Sequence, residues 1–481
     1  MPRTTCACDD GHVTDNATTA ATAAEDEVAT LCSDLIRIDT SNRGDHSGPG
    51  ERKAAEHVAA LLAEVGLEAN IYESHPGRTS VTARVSGTDP DRPALLIHGH
   101  LDVVPADPAD WAVHPFSGEI KDGEVWGRGA VDMKDMDAMI LAVIRQRLRE
   151  NRRPSRDVVL AFLADEEAGG VWGARYLADS HRAEFDGVTE AIGEVGGFSA
   201  TLGGQRLYLL QTAEKGMAWL RLSVRGPAGH GSMRAGRNVV TELAETVARI
   251  GRHEWPLRLT PAAQAFLDAA AEALGIGPGA DRGPRADLGP GADLGPGADL
   301  GPGADLGPGA DPREVLERLG PLARMIGATV SNTSNPTVLN AGYKVNVVPG
   351  LATAEVDCRF VPGYGDELLA GIDGLLGPGV QREFIHHDIA VETGFDGPLC
   401  EAMTAALIKA DPSARVAPYC LSGGTDAKSF STLGIRCFGF APLRLPADLD
   451  FFGMFHGVDE RVPVDALRFG VRVLDDFLDR C

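Results

Sequence analysis

Two uninterrupted apolar runs, separated by a helical stretch, constrain the fold more than any other feature of this sequence. The runs lie at 94–97 and 158–163, and apolar residues recur at helical spacing over 136–148 between them. The same spacing predicts helices over 25–38 and 54–65. A strand that is apolar at every position is typical of a parallel sheet covered by helices on both faces. The sequence therefore predicts an α/β fold whose ligands bind beyond the carboxyl ends of the strands.

Histidines and acids follow these strands where such ligands would bind. His98, His100 and Asp102 come at the end of the first run, and three acids at 165–167 follow the second. Asp132 precedes the intervening helix. Imidazoles and carboxylates are donors that divalent metals take, and carboxylate-rich sites bridge two ions. Taken singly, each cluster also suits a structural role, as a hydrogen-bonded histidine, a helix cap or a solvated acidic loop.

Two further donors lie later in the chain. Glu194 follows a third short apolar run, and His456 precedes two more acids near the end of the sequence. Acids gathered in one cleft repel each other strongly unless cations are bound among them. The set as a whole therefore favours a divalent metal site built from several strand ends.

The pattern of apolar residues changes near residue 215. Residues 218–224 and 352–360 alternate between apolar and polar side chains, as half-exposed antiparallel strands do, and 238–250 has helical spacing. A second, α+β domain is therefore expected as an insertion into the first. The predicted limits are 1–24 for a disordered leader, 25–215 and 392–481 for the catalytic domain, and 216–391 for the inserted domain.

An internal repeat lies inside the predicted insertion. Residues 277–312 are six hexapeptides related to GPGADL. Glycine and proline in every unit exclude an α-helix, and a hexapeptide β-helix would need more β-branched core residues. One large apolar residue per unit buries too little surface to offset the entropy of ordering, so a flexible, solvated loop is expected.

Charge and cysteine usage exclude several classes of partner. The formal net charge is −24, which disfavours binding to nucleic acids or anionic membranes. The sequence contains no run of about 18 apolar residues, so no transmembrane helix is predicted. The first 24 residues lack the apolar segment of a signal peptide, so the cytoplasm is the expected compartment. The eight cysteines include no CxxC pair and are expected to be buried thiols.

Five short motifs occur in a fixed order along the chain: HGHLDVVP, WGRGAVDMKD, DEE, GHGS and GGTDA. Together they resemble the M20 family of metallopeptidases, the group of glutamate carboxypeptidase, aminoacylase-1 and succinyl-diaminopimelate desuccinylase. The resemblance covers residues 26–475 apart from the repeat. It implies a zinc-peptidase-like catalytic domain, with a mostly parallel mixed sheet flanked by helices, and an inserted lid domain through which two subunits form a homodimer.

The resemblance also implies a role for each candidate residue. Glu166 matches the general base, and Asp102 matches the acid that orients a metal-bound histidine. A cis peptide is implied between Asp132 and Met133, and His98 matches no ligand, so a structural role is expected for it. Co²⁺ or Mn²⁺ would also suit the implied Zn²⁺ sites. The ligands implied for two Zn²⁺ ions per subunit are His100, Asp132, Glu167, Glu194 and His456, with Asp132 shared between the ions.

Three residues match positions that contact the substrate in the family. His230 matches a lid histidine that reaches the active site of the partner subunit, and Asn346 and Gly424 match residues near the substrate. The chain departs from the family at Arg234, where many relatives have proline. It also shows no clear counterpart of the basic residue that some relatives use to hold a substrate carboxylate, since Asp396 occupies that neighbourhood. A free carboxylate on the substrate is therefore not implied.

The function implied by these residues is hydrolysis of an amide bond in a small peptide or an N-acyl amino acid by metal-activated water. Glu166 would accept the proton of the water and pass it to the leaving amine, and His230 would assist at the oxyanion. One alternative is a non-catalytic binding protein on the same fold, which a lost ligand or a lost Glu166 would mark. Another is an ordinary α/β protein with solvated polar loops. All the implied residues are present, which favours the enzyme.

Overall fold

The computed structural model describes residues 23–234, 236–276 and 311–481. The leader predicted at 1–24 and the repeat predicted at 277–312 lie outside these residues, except for the last two residues of each. In chain order the strands are β1 Ala69–His75, β2 Arg78–Val85, β3 Ala94–His100, β4 Glu119–Lys121, β5 Glu124–Trp126, β6 Val158–Leu163, β7 Val188–Gly193, β8 Phe198–Leu202, β9 Gln205–Glu214, β10 Gly216–Arg225, β11 Gly229–His230, β12 Thr333–Ala341, β13 Val347–Val348, β14 Leu351–Phe360, β15 Val380–Asp388, β16 Val391–Glu392, β17 Arg415–Leu421, β18 Arg436–Gly439 and β19 Arg461–Pro463.

Helices flank these strands, and short 3-10 turns occur at Pro108–Asp110, Glu166–Ala168, Arg182–Phe185 and Gly320–Leu322. The helices are α1 Ala24–Ile36, α2 Arg52–Ala63, α3 Lys134–Arg149, α4 Ala174–Ser180, α5 Val239–Gly251, α6 Pro261–Ala273, α7 Pro312–Arg318, α8 Ala323–Gly327, α9 Gly365–Leu375, α10 Pro398–Ala410, α11 Ala427–Ser431, α12 Phe451–Met454 and α13 Val464–Arg480.

The main sheet has the strand order β1-β2-β6-β3-β7-β18-β9-β16, and β8 and β17 also pair with β9. The central strands β6, β3, β7 and β18 run parallel, whereas the strands toward the edges are mostly antiparallel. Every residue of β3 and β6 is buried, as their continuous apolar runs predict. Helices α1, α3 and α13 cover one face, and α4 and α11 cover the other. The predicted α/β architecture is confirmed.

A separate antiparallel sheet has the order β12-β14-β10-β15, and we call it the lid sheet. Its core residues Leu220, Leu222 and Val224 alternate along β10 with exposed or half-buried neighbours, which confirms the alternation read from the sequence. Helices α5 and α9 pack on the same side. The opposite face of the lid sheet faces the cleft and the solvent.

Part of the predicted insertion packs on the main sheet and not on the lid sheet. Phe266 and Leu267 of α6, Val315 of α7 and Ile326 of α8 belong to the same apolar cluster as the main-sheet core. The chain therefore returns to the catalytic body between β10 and β12. The domain limits at 216 and 391 themselves stay a prediction, and this return to the body subdivides the segment that they enclose.

Two further expectations concern buried thiols and membrane-spanning helices. Free thiols are present and buried at Cys32, Cys358, Cys400, Cys420, Cys437 and Cys481. Within the described ranges, no helix combines the length and the apolar character that crossing a bilayer requires.

Candidate metal and catalytic site

The candidate ligands come together because parallel strands end at the same edge of the main sheet. His100 is the last residue of β3, Glu167 lies in the 3-10 turn after β6, and Glu194 directly follows β7. Asp132 precedes α3, and His456 follows α12. The structure thus gathers all five residues that the resemblance implies as ligands.

The carboxylate of Asp132 lies between the two histidines. Its Oδ1 is 3.0 Å from His100 Nε2, and its Oδ2 is 3.3 Å from His456 Nε2. His100 Nε2 is also 3.5 Å from Glu194 Oε2, and His456 Nε2 is 3.1 Å from Glu167 Oε2. One carboxylate therefore faces two separate donor groups, each made of an imidazole and a further acid.

The donor set fits divalent metal. Single ligand atoms of His100, Glu166 and Glu194 lie within 4.8 Å of one another, as do those of His100, Asp132 and Glu167. Imidazole nitrogen and carboxylate oxygen are the ligands of Zn²⁺, Mn²⁺ and Co²⁺. The two groups share His100, and the second includes Asp132, whose Oδ2 also lies 3.3 Å from His456 Nε2.

Electrostatics at the site also favour a cation. Burial, and then the charge of Glu194, raise the pKa of Glu166 well above its usual value, and burial followed by Asp132 raises the pKa of Glu167 to about 7. Hydrogen bonds to Asp132 and Glu167 raise the pKa of His456 to about 10. Buried acids that hold protons in this way are acids that a divalent cation would stabilise in their ionised form.

Asp102 contacts the site in a different way from the one that the resemblance implies. Nδ1 of His100 donates to the backbone carbonyl of Asp102 at 2.9 Å, whereas the nearest carboxylate oxygen is 3.7 Å away. The Asp102 carboxylate accepts hydrogen bonds from the backbone N–H groups of Glu166 and Glu167, each at 3.1 Å. Asp102 thus orients His100 through its backbone and supports the acidic turn through its side chain.

Two residues that sequence reasoning missed support Asp132. The fully buried Glu460 accepts hydrogen bonds from the backbone N–H groups of Gly129, Val131 and Asp132 and from the guanidinium of Arg128. Arg128 also donates to the backbone carbonyl of Gly457, beside His456, at 2.8 Å. The only signal in the sequence was an acidic residue close to His456, and such a residue taken alone is expected to be solvated.

The acids open into a cavity of about 380 Å³ between the main sheet and the lid sheet. The body contributes Gly424 and Lys428, and the lid sheet contributes Trp219, Arg359 and His386. A Cβ added at Gly424 would lie 2.6 Å from Nζ of Lys428, so glycine permits this close approach. The structure therefore places Gly424 in the cavity wall.

Arg359 is a basic group in the cavity that the sequence did not reveal. It lies near the end of β14 and forms two hydrogen bonds to Asp357, at 2.7 and 3.1 Å. The alternation of β14 places both residues on the face opposite the lid core. That alternation was the one available signal, because the cleft side of the strand could not be recognised before the two sheets were placed.

His230 and Asn346 lie together, but away from the ligands. Both are exposed on a short ribbon in which β11 pairs with β13, and Gly231 N–H donates to the Asn346 carbonyl at 2.9 Å. Among the described residues, neither belongs to those that line the cavity. The structure of one chain therefore does not bring either residue to the metal ligands.

Two smaller expectations concern the backbone and His98. The peptide between Asp132 and Met133 is cis, which confirms the implied bond. His98 is buried against the ring of Phe430, with 5.1 Å between the ring centroids. Burial lowers the pKa of His98 to about 3, so the ring is neutral at ordinary pH. This environment fits the structural role that was expected for His98.

Comparison with known proteins places these features in a family. The model of peptidase family M20/M25/M40 matches residues 96–480. The chain is 26% identical over 440 residues to the N-fatty-acyl-amino acid synthase/hydrolase PM20D1 of Xenopus tropicalis, a match that covers 88% of this chain and 79% of that protein. It is 30% identical over 213 residues to the succinyl-diaminopimelate desuccinylase of Delftia acidovorans, covering 43% of this chain and 54% of that protein.

Solved structures share the fold. The M20 family metallo-carboxypeptidase Sso-CP2 of Sulfolobus solfataricus superposes with a TM-score of 0.69 at 19% identity, covering 95% of this chain and 99% of that chain. Human carnosine dipeptidase 1 superposes with a TM-score of 0.64 at 14% identity, covering 95% of this chain and 96% of that chain. Both similarities extend across the main sheet and the lid sheet.

Proposed function

Because the chain belongs to the M20/M25/M40 peptidase family, whose enzymes are metallohydrolases, we propose that it hydrolyses the amide bond of a small N-acyl amino acid. The observation that carries this proposal is the Asp132 carboxylate, whose two oxygens contact His100 and His456 separately. Such an arrangement is suited to a pair of divalent ions. A dipeptide is the second substrate class, since carnosine dipeptidase shares the fold.

The ligands divide into two sets around Asp132. His100 and Glu194 would hold one ion, His456 and Glu167 would hold the other, and Asp132 would contact both. When bound, divalent ions of this kind polarise a carbonyl group and lower the pKa of water toward neutrality. The buried position of His100 and the backbone support of Asp132 by Glu460 keep the donors in place for metal.

Glu166 is the residue that we assign to proton transfer. It lines the cavity, and its nearest oxygen is 4.0 Å from His100 Nε2. Its carboxylate is close enough to His100 and Glu194 to share an ion with them, but we assign it to neither ligand set. Burial and Glu194 raise the pKa of this carboxyl, and bound divalent ions would oppose that shift. Ionised Glu166 would then accept a proton from water and pass it to the leaving amine. One carboxyl can therefore act first as base and then as acid.

The cavity suits a substrate with an apolar acyl group and a carboxylate. Its volume of about 380 Å³ lies within the range of small-molecule sites. Met217, Trp219, Leu421 and Phe455 supply apolar walls, and Arg359 supplies the charge that a carboxylate would pair with. The PM20D1 relatives are named as synthases and hydrolases of N-fatty-acyl amino acids. This supports N-acyl amino acids over dipeptides as the substrate class.

We further propose a homodimer in which His230 of one chain serves the site of the other. His230 and Asn346 lie on an exposed ribbon, and the nearby side chains of Tyr343 and Val345 are 84% and 103% exposed. Apolar groups so exposed beside polar candidates for the active site suit a surface that a second subunit covers.

The test of this function is hydrolysis by metal-loaded protein. Protein stripped with EDTA and reloaded with Zn²⁺, Co²⁺ or Mn²⁺ is assayed for amine release from N-acetyl and long-chain N-acyl amino acids, their carboxamides, and dipeptides. We expect metal-dependent cleavage of the N-acyl amino acids and weaker cleavage of the carboxamides, which lack the charge for Arg359. The proposal fails if the reloaded protein cleaves no member of the panel.

A further inference from the structure

A chain of buried polar side chains runs behind the turn that carries Glu166 and Glu167. Its members come from the loop after α1, the start of α2, β2, and the ends of β3 and β6. None is more than 4% exposed, although four of the five are charged residues. They are Asn42, Glu51, Arg78, Asp102 and Asp165.

Asn42 is the centre of this chain. Its Nδ2 donates to Asp102 Oδ2 at 2.8 Å and to Asp165 Oδ1 at 3.2 Å. Its Oδ1 accepts from Arg78 at 2.7 Å and from the backbone N–H of Gly44 at 2.9 Å. All four hydrogen-bonding positions of the amide are therefore used, two as donor and two as acceptor.

Arg78 holds the far side of Asn42. Its guanidinium pairs with Glu51, and its Nε is 3.7 Å from Asp165 Oδ1. The one cation thus faces two carboxylates and the amide oxygen of Asn42. Because a buried guanidinium offers its donors in a fixed plane, its contacts set both the position and the rotation of that amide.

The two acids that Asn42 contacts form hydrogen bonds on both sides of the turn that carries Glu166 and Glu167. Asp102 accepts the N–H groups of Glu166 and Glu167, and Asp165 accepts the N–H of Trp172 at 3.0 Å. Asp165 has φ of 69°, a left-handed backbone that a non-glycine residue adopts only where its surroundings hold it. The turn itself is a single 3-10 turn of three residues, closed by backbone hydrogen bonds from Ala168 and Gly170 to the carbonyl of Asp165.

We propose that Asn42 and Arg78 are positioning residues for Glu166 and Glu167, acting through Asp102 and Asp165. Neither touches the cavity. The amide of Asn42 is required because an acid there would place a third carboxylate against two others. This inference rests on the proposed function for its kinetic part, but the metal-binding part stands without any substrate.

The variants separate positioning from stability. Asn42→Asp keeps the shape of the side chain and replaces two donors by a repelling charge. Arg78→Lys keeps the charge but loses the planar fork. The matched controls are Asn332→Asp, where a buried amide bonds Val361 and Tyr364 and no candidate metal ligand, and Arg156→Lys, where a buried guanidinium pairs with Glu190 at the opposite ends of the strands.

Four quantities are measured for each variant: the melting temperature, the Zn²⁺ affinity of the metal-free protein by calorimetry, kcat and KM. For Asn42→Asp and Arg78→Lys we expect kcat to fall about 10–100-fold with KM nearly unchanged, and the weaker Zn²⁺ site to lose about 10-fold or more in affinity. The controls should lose a similar amount of thermal stability while keeping both kcat and Zn²⁺ affinity.

Equal Zn²⁺ affinity and kcat in the site variants and in controls of the same melting temperature would show a purely structural role and overturn the proposal. Should Asn42→Asp fail to fold, Asn42→Ser, which keeps one donor, carries the same comparison. If the wild-type protein binds Zn²⁺ but cleaves no substrate of the panel, the proposed function fails, whereas the affinities still decide whether Asn42 and Arg78 position the turn.

Discussion

The side chain of Glu460 accepts a hydrogen bond of 3.2 Å from the backbone N–H of Asp132, the residue whose carboxylate separates the two candidate metal histidines. Glu460 also binds the N–H groups of Gly129 and Val131, so one buried carboxylate satisfies three backbone N–H groups of the loop before α3. Arg128 balances its charge at 2.7 Å. The orientation of Asp132 is therefore set by an acid that lines no part of the cavity.

The substitution Glu460→Gln tests this support. The amide keeps the shape of the acid but presents an NH₂ group to backbone N–H donors, leaving at least one of them without an acceptor. We expect the free energy of unfolding to fall by about 1–3 kcal/mol and metal affinity to fall about 10–100-fold. Glu190→Gln, which removes a half-buried acid from Arg156 at the other end of the sheet, is the control. Denaturant unfolding and Zn²⁺ calorimetry provide the two measurements, and equal metal affinity in both variants would contradict the prediction.

The substitution Glu166→Ala should separate catalysis from metal binding. Because Glu166 is assigned to proton transfer and to neither ligand set, the variant should retain its metal and lose about 10²–10⁴-fold or more in turnover. Metal content by elemental analysis and kcat on the best substrate of the panel are the measurements. A variant that keeps its turnover would transfer the role of base to another residue, with Asp165 as the first to test.

Mixed dimers test whether His230 acts on the partner subunit. Glu166→Ala and His230→Ala homodimers should both be nearly inactive. A heterodimer of the two variants contains one site with an intact Glu166 facing the intact His230 of the other chain, so co-expression should restore activity. The measurement is turnover of tagged heterodimers purified in two affinity steps. No recovery in heterodimers of confirmed composition would place His230 in the site of its own chain or outside catalysis.

His98 should make stability fall as the pH is lowered. Burial lowers its pKa from 6.5 to about 3, so between these pH values the unfolded chain binds a proton at His98 and the folded chain does not. The contribution of neutral His98 is fully present above pH 6.5 and is lost as the pH falls toward 3. Between pH 7 and pH 5 this loss amounts to about 2 kcal/mol.

The measurement is urea unfolding of metal-free protein at the two pH values, for the wild type and for His98→Phe. Phenylalanine has no titrating group and suits a site where His98 packs on Phe430. The loss of stability in the variant should be smaller by about 2 kcal/mol. Identical losses in the two proteins would mean that His98 gains a proton in the folded state as easily as in the unfolded one.

The hexapeptide repeat should be dispensable for activity. Its flanking helices α6 and α7 contact each other and both pack on the main core. Shortening the six repeats to two should therefore leave metal content, oligomeric state and kcat unchanged, and the shorter closure should raise stability by about 1 kcal/mol or less. Size-exclusion chromatography, elemental analysis and turnover measure the three properties. An inactive monomer would show that the repeat has a structural role.

Local patterns were enough to predict the strands and the residues at their ends. The continuous apolar runs of β3 and β6 and the alternation of β10 each identify an element from neighbouring residues alone, because burial on one or two faces leaves a period in the sequence. His100, Glu166, Glu167 and Glu194 follow such runs directly. Parallel strands bring their ends together, so convergence of these residues followed from the fold class.

The supporting residues could not be found in the same way. Glu460 and Asp132 are 328 positions apart, and Asn42 and Asp165 are 123 apart. Arg359 became a cavity residue only once the lid sheet faced the main sheet, and α6 joined the main core although it lies within the predicted insertion. A periodic pattern reports which side of an element is buried, but the partner of a buried polar group is determined by close packing between distant segments. Tertiary structure alone decides that partner, because a buried donor or acceptor must be satisfied by whatever group the fold places within hydrogen-bonding distance.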